Sequence, residues 1–261
     1  MPNATQRNAT QRNATQRNAT QRNATQRNAT QRNATQRNAT QRNANSLKSP
    51  GIQVKSKQRV ADHGEVFTNE REVNAMLDLV KDQIQNPEKT FLEPACGTGN
   101  FLAEILRRKL NAIARKHKKI QDYYERYAVI AVGSLYGIEL LPDNVSECRK
   151  RLLAIFSEQY HTDFPDTAKP KCLTAVSHIL SKNIVCGDAL TMKTTAGEPL
   201  TFTEWKIAFG NRIKRHDFIY QKVVHLELNS PVPDEEGKTK FIAKPTSRSY
   251  PLVNFLELGN D

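Results

Sequence analysis

Residues 90–113 constrain the fold more tightly than any other stretch. Thr90-Phe91-Leu92-Glu93 has the β-branched and aromatic content of a short strand. It runs straight into Pro94-Ala95-Cys96-Gly97-Thr98-Gly99-Asn100, and then into a segment with Leu102, Ile105, Leu106, Leu110 and Ile113 on one helical face. A strand, a tight loop and a helix in that order put the loop at the carboxyl end of the strand, where open α/β sheets bind ligands. Gly97 and Gly99 lack Cβ, so the backbone can turn sharply and approach a ligand closely. The first amides of the helix point back at the same place. A dinucleotide fingerprint needs a third glycine at position 102; Leu102 stands there, which argues against a nicotinamide cofactor.

The surrounding pattern extends this unit. Residues 60–79 read as a loop entering a helix, with Val73, Met76, Leu77 and Val80 inward. Residues 135–140 form a second strand candidate. Pro142-Asp143 opens a helix with Val145, Cys148, Leu152, Ile155 and Phe156 inward. A helix over 171–180 leads to Asn183-Ile184-Val185-Cys186, a third strand ending in Gly187-Asp188. Strands alternating with helices predict a parallel α/β sheet. After Thr194 the pattern fades into short segments punctuated by Pro and Lys, which predicts an irregular C-terminal extension.

Residues 93–101, Glu-Pro-Ala-Cys-Gly-Thr-Gly-Asn-Phe, resemble the S-adenosylmethionine motif of the amino-directed DNA methyltransferases, chiefly the adenine-N6 enzymes of restriction–modification systems. Three further pieces follow the order this resemblance implies. His63-Gly64-Glu65-Val66-Phe67-Thr68 resembles the segment before the first helix that touches the methionine part, with Asn69 where the family often has Pro. Tyr136-Gly137-Ile138-Glu139 resembles the second strand, whose terminal acid holds the ribose hydroxyls. Gly187-Asp188-Ala189-Leu190 resembles the third strand end, where the acid meets the adenine amino group. The resemblance implies a Rossmann-like methyltransferase domain over 47–195 that binds S-adenosylmethionine. The implied cofactor-binding residues are Phe67, Thr68, Glu93, Pro94, Ala95, Cys96, Gly97, Thr98, Gly99, Glu139, Asp188 and Ala189. Elementary chemistry agrees: a carboxylate at a strand end accepts from both ribose hydroxyls, and an amino group needs an acceptor such as Asp188. The interval from Gly99 to Glu139 is 40 residues, about twice the usual ~20. A basic helical insertion over 107–127 accounts for the excess and offers a solvated face or a DNA-backbone contact.

The family also carries Asn/Asp-Pro-Pro-Tyr/Phe after a fourth strand, to grip the flipped base. The sequence holds no such tetrapeptide after Asp188; Asn211 and Asn229 are the nearest candidates and neither has the Pro-Pro pair. No catalytic residue is therefore assigned. Three readings follow: one subunit of a split methyltransferase acting on DNA with a second methyltransferase or restriction subunit, a truncated or frameshifted remnant, or a non-catalytic cofactor-binding regulator. The first is favoured. Residues 196–261, with Trp205 and the basic run from Arg212 to Phe218, then serve as a partner- or DNA-facing extension. The apolar stretch 250–258 is expected to pack on the core or on a partner.

The other end of the chain is different in kind. Asn-Ala-Thr-Gln-Arg occurs eight times in tandem over residues 3–42. The tract has almost no apolar surface to bury and predicts a disordered tail over 1–46. Asn-Ala-Thr-Gln-Arg can be encoded by three copies of the five-base unit AACGC, a tract that every frame reads as the same permuted pentapeptide. Gain or loss of one unit would shift the downstream frame, so phase variation by slippage is expected. The chain has net charge +12, but without the tract's eight Arg the remainder holds 31 basic against 27 acidic side chains. The excess charge is therefore mostly a property of the tail, not of a nucleic-acid-binding fold. Four scattered cysteines (Cys96, Cys148, Cys172, Cys186) show no metal spacing and predict isolated reduced thiols; no metal is expected. With no apolar h-region and no span of ~20 apolar residues, the expected location is the bacterial cytoplasm, away from membrane.

Overall fold

The structure is a computed structural model that describes residues 56–63, 66, 68–226, 232–233, 239–240 and 250–259. The repeat tract, Phe67 and Asn229 lie outside the described residues. The chain runs α1 (Lys57–His63), α2 (Glu70–Asp78), α3 (Lys81–Ile84), β1 (Phe91–Glu93), α4 (Asn100–His117), α5 (Gln121–Gly133), β2 (Leu135–Glu139), α6 (Pro142–Asp163), α7 (Pro170–Asn183) and β3 (Ile184–Cys186). It continues through β4 (Thr201–Ile207), β5 (Arg212–Ile219), α8 (Tyr220–Leu226), β6 (Val232–Pro233), β7 (Thr239–Lys240), β8 (Val253–Asn254) and a 3₁₀ turn at Phe255–Glu257. No helix among the described residues is long and apolar enough to cross a membrane.

Strands β1, β2 and β3 form a parallel sheet in that order, with Leu92 opposite Tyr136 and Ile138 opposite Val185. All five residues of β2 are buried, as a central strand covered on both faces requires. Its side chains alternate between two packed layers. Leu135 joins the large core built from α2, α4, α5, α6 and α7, whereas Tyr136 and Ile138 face Leu200 and Phe202. Tyr136 meets Phe202 and Phe218 edge-on, with ring centroids 5.3 and 6.0 Å apart.

The local signals explain where the helices start. Asn69 is the N-cap of α2, and its side chain accepts the Glu72 amide at 3.0 Å. The departure from Pro at this position thus supplies a helix start. Pro142 and Pro170 stand in the first turns of α6 and α7, where their missing N–H is not needed. On α4, Leu102, Ile105, Leu106, Leu110 and Ile113 are all buried, as their spacing predicts.

Four expectations need correction. Met76 is 56% exposed, because α2 is covered only along the Val73–Leu77 line. The basic stretch over 107–127 is the second half of α4 plus the first half of α5; its apolar side joins the main core, while Arg107, Arg115, Lys116, Lys118 and Lys119 are exposed, as a solvated face requires. Part of its charge is paired with acids: Arg108 with Asp78 at 2.7 Å and Glu104 at 2.9 Å, and Lys118 with Asp163 at 2.6 Å. Lys109 is fully buried, donating to the carbonyls of Asn86, Pro87 and Lys89 and to Ser134 Oγ, at 2.7–3.1 Å. Finally, the stretch after Thr194 is not irregular throughout: β4 and β5 form an antiparallel hairpin, and β8 pairs with β5. Its basic run does not face outward as a block, since Arg215 is buried against the Trp205 and Tyr250 rings. Trp205, Ile213, Phe255 and Leu258 all join the main core, so the apolar C-terminal stretch packs inward.

Among the described residues, β1 and β3 are the edges of the parallel sheet, and the two edges differ. At β3 the Arg149 guanidinium caps the Ile184 carbonyl at 2.9 Å. At β1 the Phe91 amide bonds to Ser134 on the β2 side, so Leu92, 42% exposed, turns its backbone groups outward.

Candidate cofactor site

A cavity of about 560 Å³ opens at the carboxyl ends of the parallel strands. One wall is the β1–α4 loop from Glu93 to Gly97, continued by Asn100 and Phe101 at the start of α4. Opposite stand Glu139, Leu140 and Leu141 after β2, with Asn144 of α6. The exit of β3 contributes residues 187–190, and Val66 and Thr68 come from the segment ahead of α2.

The loop is held in shape by its backbone. Gly97 and Gly99 sit at φ 51° and 85°, in the left-handed region that glycine enters at little cost. The Cys96 amide donates to Ile138 O at 2.9 Å, stitching the loop to the end of β2. Glu139 completes the fastening. Its Oε2 accepts the Gly97 amide at 2.8 Å, and its Oε1 accepts Leu141 N–H at 3.0 Å and Asn144 Nδ2 at 3.4 Å. Three of the roughly four lone-pair directions of this carboxylate therefore face protein donors. Asp188 is fastened similarly: Oδ1 accepts the Leu190 amide at 2.8 Å, and its own amide donates to Lys193 O at 2.9 Å.

Two side chains of the loop have shifted ionisation. Burial holds the Glu93 carboxyl above its ordinary value, partly offset by the Ala95 amide that donates to it at 3.4 Å. A hydrogen bond with Cys148, together with burial, pushes the Cys96 thiol far up. Cys96 and Cys148 are thus neighbours and not isolated thiols as the spacing implied; a thiol so raised is a packing group and a poor nucleophile.

Of the residues singled out from the sequence, Thr68, Glu93, Pro94, Ala95, Cys96, Gly97, Glu139, Asp188 and Ala189 line this one cavity. Thr98 and Gly99 do not: Thr98 is buried, and Gly99 caps α4 against Cys148. The sequence reading assigned no role to Asn100, Phe101, Leu140, Leu141, Asn144 or Leu190, although all line the cavity. The available signal was the large apolar residues just after two of the strand-end acids, Leu140-Leu141 after Glu139 and Leu190 two places after Asp188. Leu140 and Leu190 remain 48% and 92% exposed at the cavity.

The family model described as "MmeI, DNA-methyltransferase domain" matches residues 65–204, a stretch that contains every one of these cavity residues. The chain belongs to the MmeI DNA-methyltransferase domain family. In this MmeI-type chain the matched segment runs from just ahead of α2 into β4. DNA methyltransferase A of Bacillus subtilis (strain 168) is 27% identical over 125 residues, which is 46% of this chain but only 14% of that protein. No solved structure matches.

Proposed function

We propose that the cavity binds S-adenosylmethionine and that the chain is the cofactor-binding part of an adenine-specific DNA methyltransferase. One observation carries this reading: segments far apart in sequence, each resembling a separate cofactor-contacting piece, line a single cavity. Its volume lies within the ~300–1,000 Å³ range of small-molecule sites. The donor set also fits. Glu139, with one lone-pair direction left over from its three protein donors, supplies an acceptor for a ribose hydroxyl and Asp188 one for the adenine amino group, while Leu140, Leu141 and Leu190 offer apolar contact to a purine. Glu93 places a carboxyl at the loop that would attract the cationic end of the cofactor. Strands alternating with helices support a Rossmann-like domain over 47–195.

The bound cofactor supplies an activated methyl group for in-line displacement by the target nitrogen. This chain's residues orient that methyl by fixing the nucleoside and excluding water. The groups that grip the target base are assigned to a second methyltransferase or restriction subunit. The edge of β1 beside the cavity, which no strand covers among the described residues, supports that assignment, because a ligand crevice in an α/β sheet ordinarily lies between strands that continue on both sides. The pentapeptide tract supports phase-variable expression within a bacterial, cytoplasmic restriction–modification system.

Calorimetry with S-adenosylmethionine and its demethylated product tests the first step; no heat from well-folded protein overturns it. Methyl transfer to adenine-containing DNA is then measured for the chain alone and with the product of the adjacent gene. Activity only in the pair supports the split enzyme. Cofactor binding without transfer in either case supports a non-catalytic regulator. Genome-wide methylation maps of cells differing in tract length test the phase variation.

A further inference from the structure

Val66 and Thr68 form a wall of the cavity while belonging to neither a helix nor a strand. Something other than a backbone ladder must hold them. The Thr68 carbonyl accepts Asn100 Nδ2 at 2.9 Å. Asn100 is the first residue of α4 and itself lines the cavity. A side-chain amide has two unlike ends, so this bond forms only when its nitrogen, not its oxygen, faces Thr68.

Arg151 decides which end that is. From α6, its Nη1 lies 2.6 Å from Asn100 Oδ1 and 3.4 Å from the Thr98 carbonyl. A guanidinium only donates, so Asn100 must turn its oxygen to Arg151 and its nitrogen to Thr68. A separate tie to α6 is made earlier in the chain. Arg59 of α1 grips Asp143 with Nη1–Oδ2 at 2.9 Å and Nη2–Oδ1 at 3.3 Å. The strap ahead of α2, of which Val66 and Thr68 line the cavity, is therefore latched at Thr68 to Asn100 of α4, whose amide is in turn set by Arg151 of α6.

We infer that Arg151, which does not line the cavity, is a positioning residue: it sets the Asn100 amide so that the strap is held at Thr68 as a wall of the cofactor site. This rests on the S-adenosylmethionine reading above. In that reading the strap faces the amino-acid end of the cofactor, and Glu139 and Asp188 face the nucleoside. Loss of the latch should then weaken S-adenosylmethionine but not 5′-methylthioadenosine, which lacks the amino-acid end.

Asn100→Asp is the sharpest variant. A carboxylate keeps the pairing with Arg151 and suits the first turn of a helix, so the fold is retained. It has no N–H for the Thr68 carbonyl. Arg151→Met removes the orienting donor, whereas Arg151→Gln restores an N–H that can face Asn100 Oδ1. Calorimetric titration of the full chain with both ligands, alongside melting curves, gives the test. Asn100→Asp and Arg151→Met should each lose S-adenosylmethionine affinity about tenfold, the equivalent of one hydrogen bond, and keep 5′-methylthioadenosine within twofold. Arg151→Gln should recover most of the loss. Wild-type affinity in both Asn100→Asp and Arg151→Met overturns the inference and leaves the cofactor reading standing. Equal losses for both ligands with a lowered melting point overturn it in favour of a merely structural role. A wild-type chain that binds neither ligand overturns the cofactor reading itself.

Discussion

Replacing Gly99 by Ala loads two separate penalties on one methyl group. Gly99 caps α4 at φ 85°, ψ 35°, a left-handed conformation that disfavours an L side chain by about 1–2 kcal/mol. The added Cβ would also stand 2.6 Å from Cys148 Sγ, where optimal heavy-atom separations are ~3.5–4.0 Å. Cys148 is fully buried in α6 and hydrogen-bonded with Cys96, so it has no free volume to enter. Overpacking of this kind costs about 1–3 kcal/mol. The expected total, about 2–5 kcal/mol, is a large part of the ~5–15 kcal/mol that holds an ordinary domain. The two components separate in a double-mutant cycle. Cys148→Ala removes the sulfur that the new methyl meets, so Gly99→Ala/Cys148→Ala should be more stable than the sum of the single changes by about 1–3 kcal/mol. The backbone penalty should persist. Urea unfolding of the four proteins, followed by fluorescence of the single buried Trp205, measures this. Strict additivity, or a loss below about 1 kcal/mol for Gly99→Ala, would show that the close approach of loop and α6 has been misread.

Three further outcomes are expected. Glu139→Ala strands the Gly97 and Leu141 amides and should lower stability by about 1–3 kcal/mol and, on the proposed cofactor reading, abolish S-adenosylmethionine binding; calorimetry at unchanged affinity would remove Glu139 from the proposed site. Burial raises Glu93, so its contribution to stability is complete below its ordinary value of 4.5 and is lost as pH climbs through the raised one. Glu93→Gln should therefore be at least as stable as wild type at pH 7, with the advantage vanishing toward pH 4 in melting curves, and a less stable variant at pH 7 contradicts this. Burial pushes Lys109 down to about 7 against the pull of its four oxygen acceptors. A lowered amine contributes stability above its ordinary value of 10.5 and loses it as pH falls toward 7. Wild type should accordingly gain stability between pH 7 and pH 9 in urea titrations, and Lys109→Met should lack that slope; parallel titrations would mean the cage keeps the ammonium charged throughout.

The sequence by itself determined the parts of this protein that depend on neighbours in the chain. Glycines at 97 and 99 mark a tight turn because only they enter the left-handed region cheaply, and the apolar spacing of α4 and α6 sets which face each helix buries. The three strand ends and their acids were legible for the same reason, down to the turn at Asp188. Tertiary structure alone decided which distant groups meet. Glu139 fastens Gly97 across an interval with no local signal, and Lys109 leaves a basic run to fill a cage of carbonyls. Arg151 reaches the amide of Asn100, and the hairpin of β4 and β5 closes over Tyr136. Periodicity reports backbone hydrogen bonding and burial within one element. It carries no record of which side chain from another element will supply the missing donor or acceptor, because that choice is made by packing.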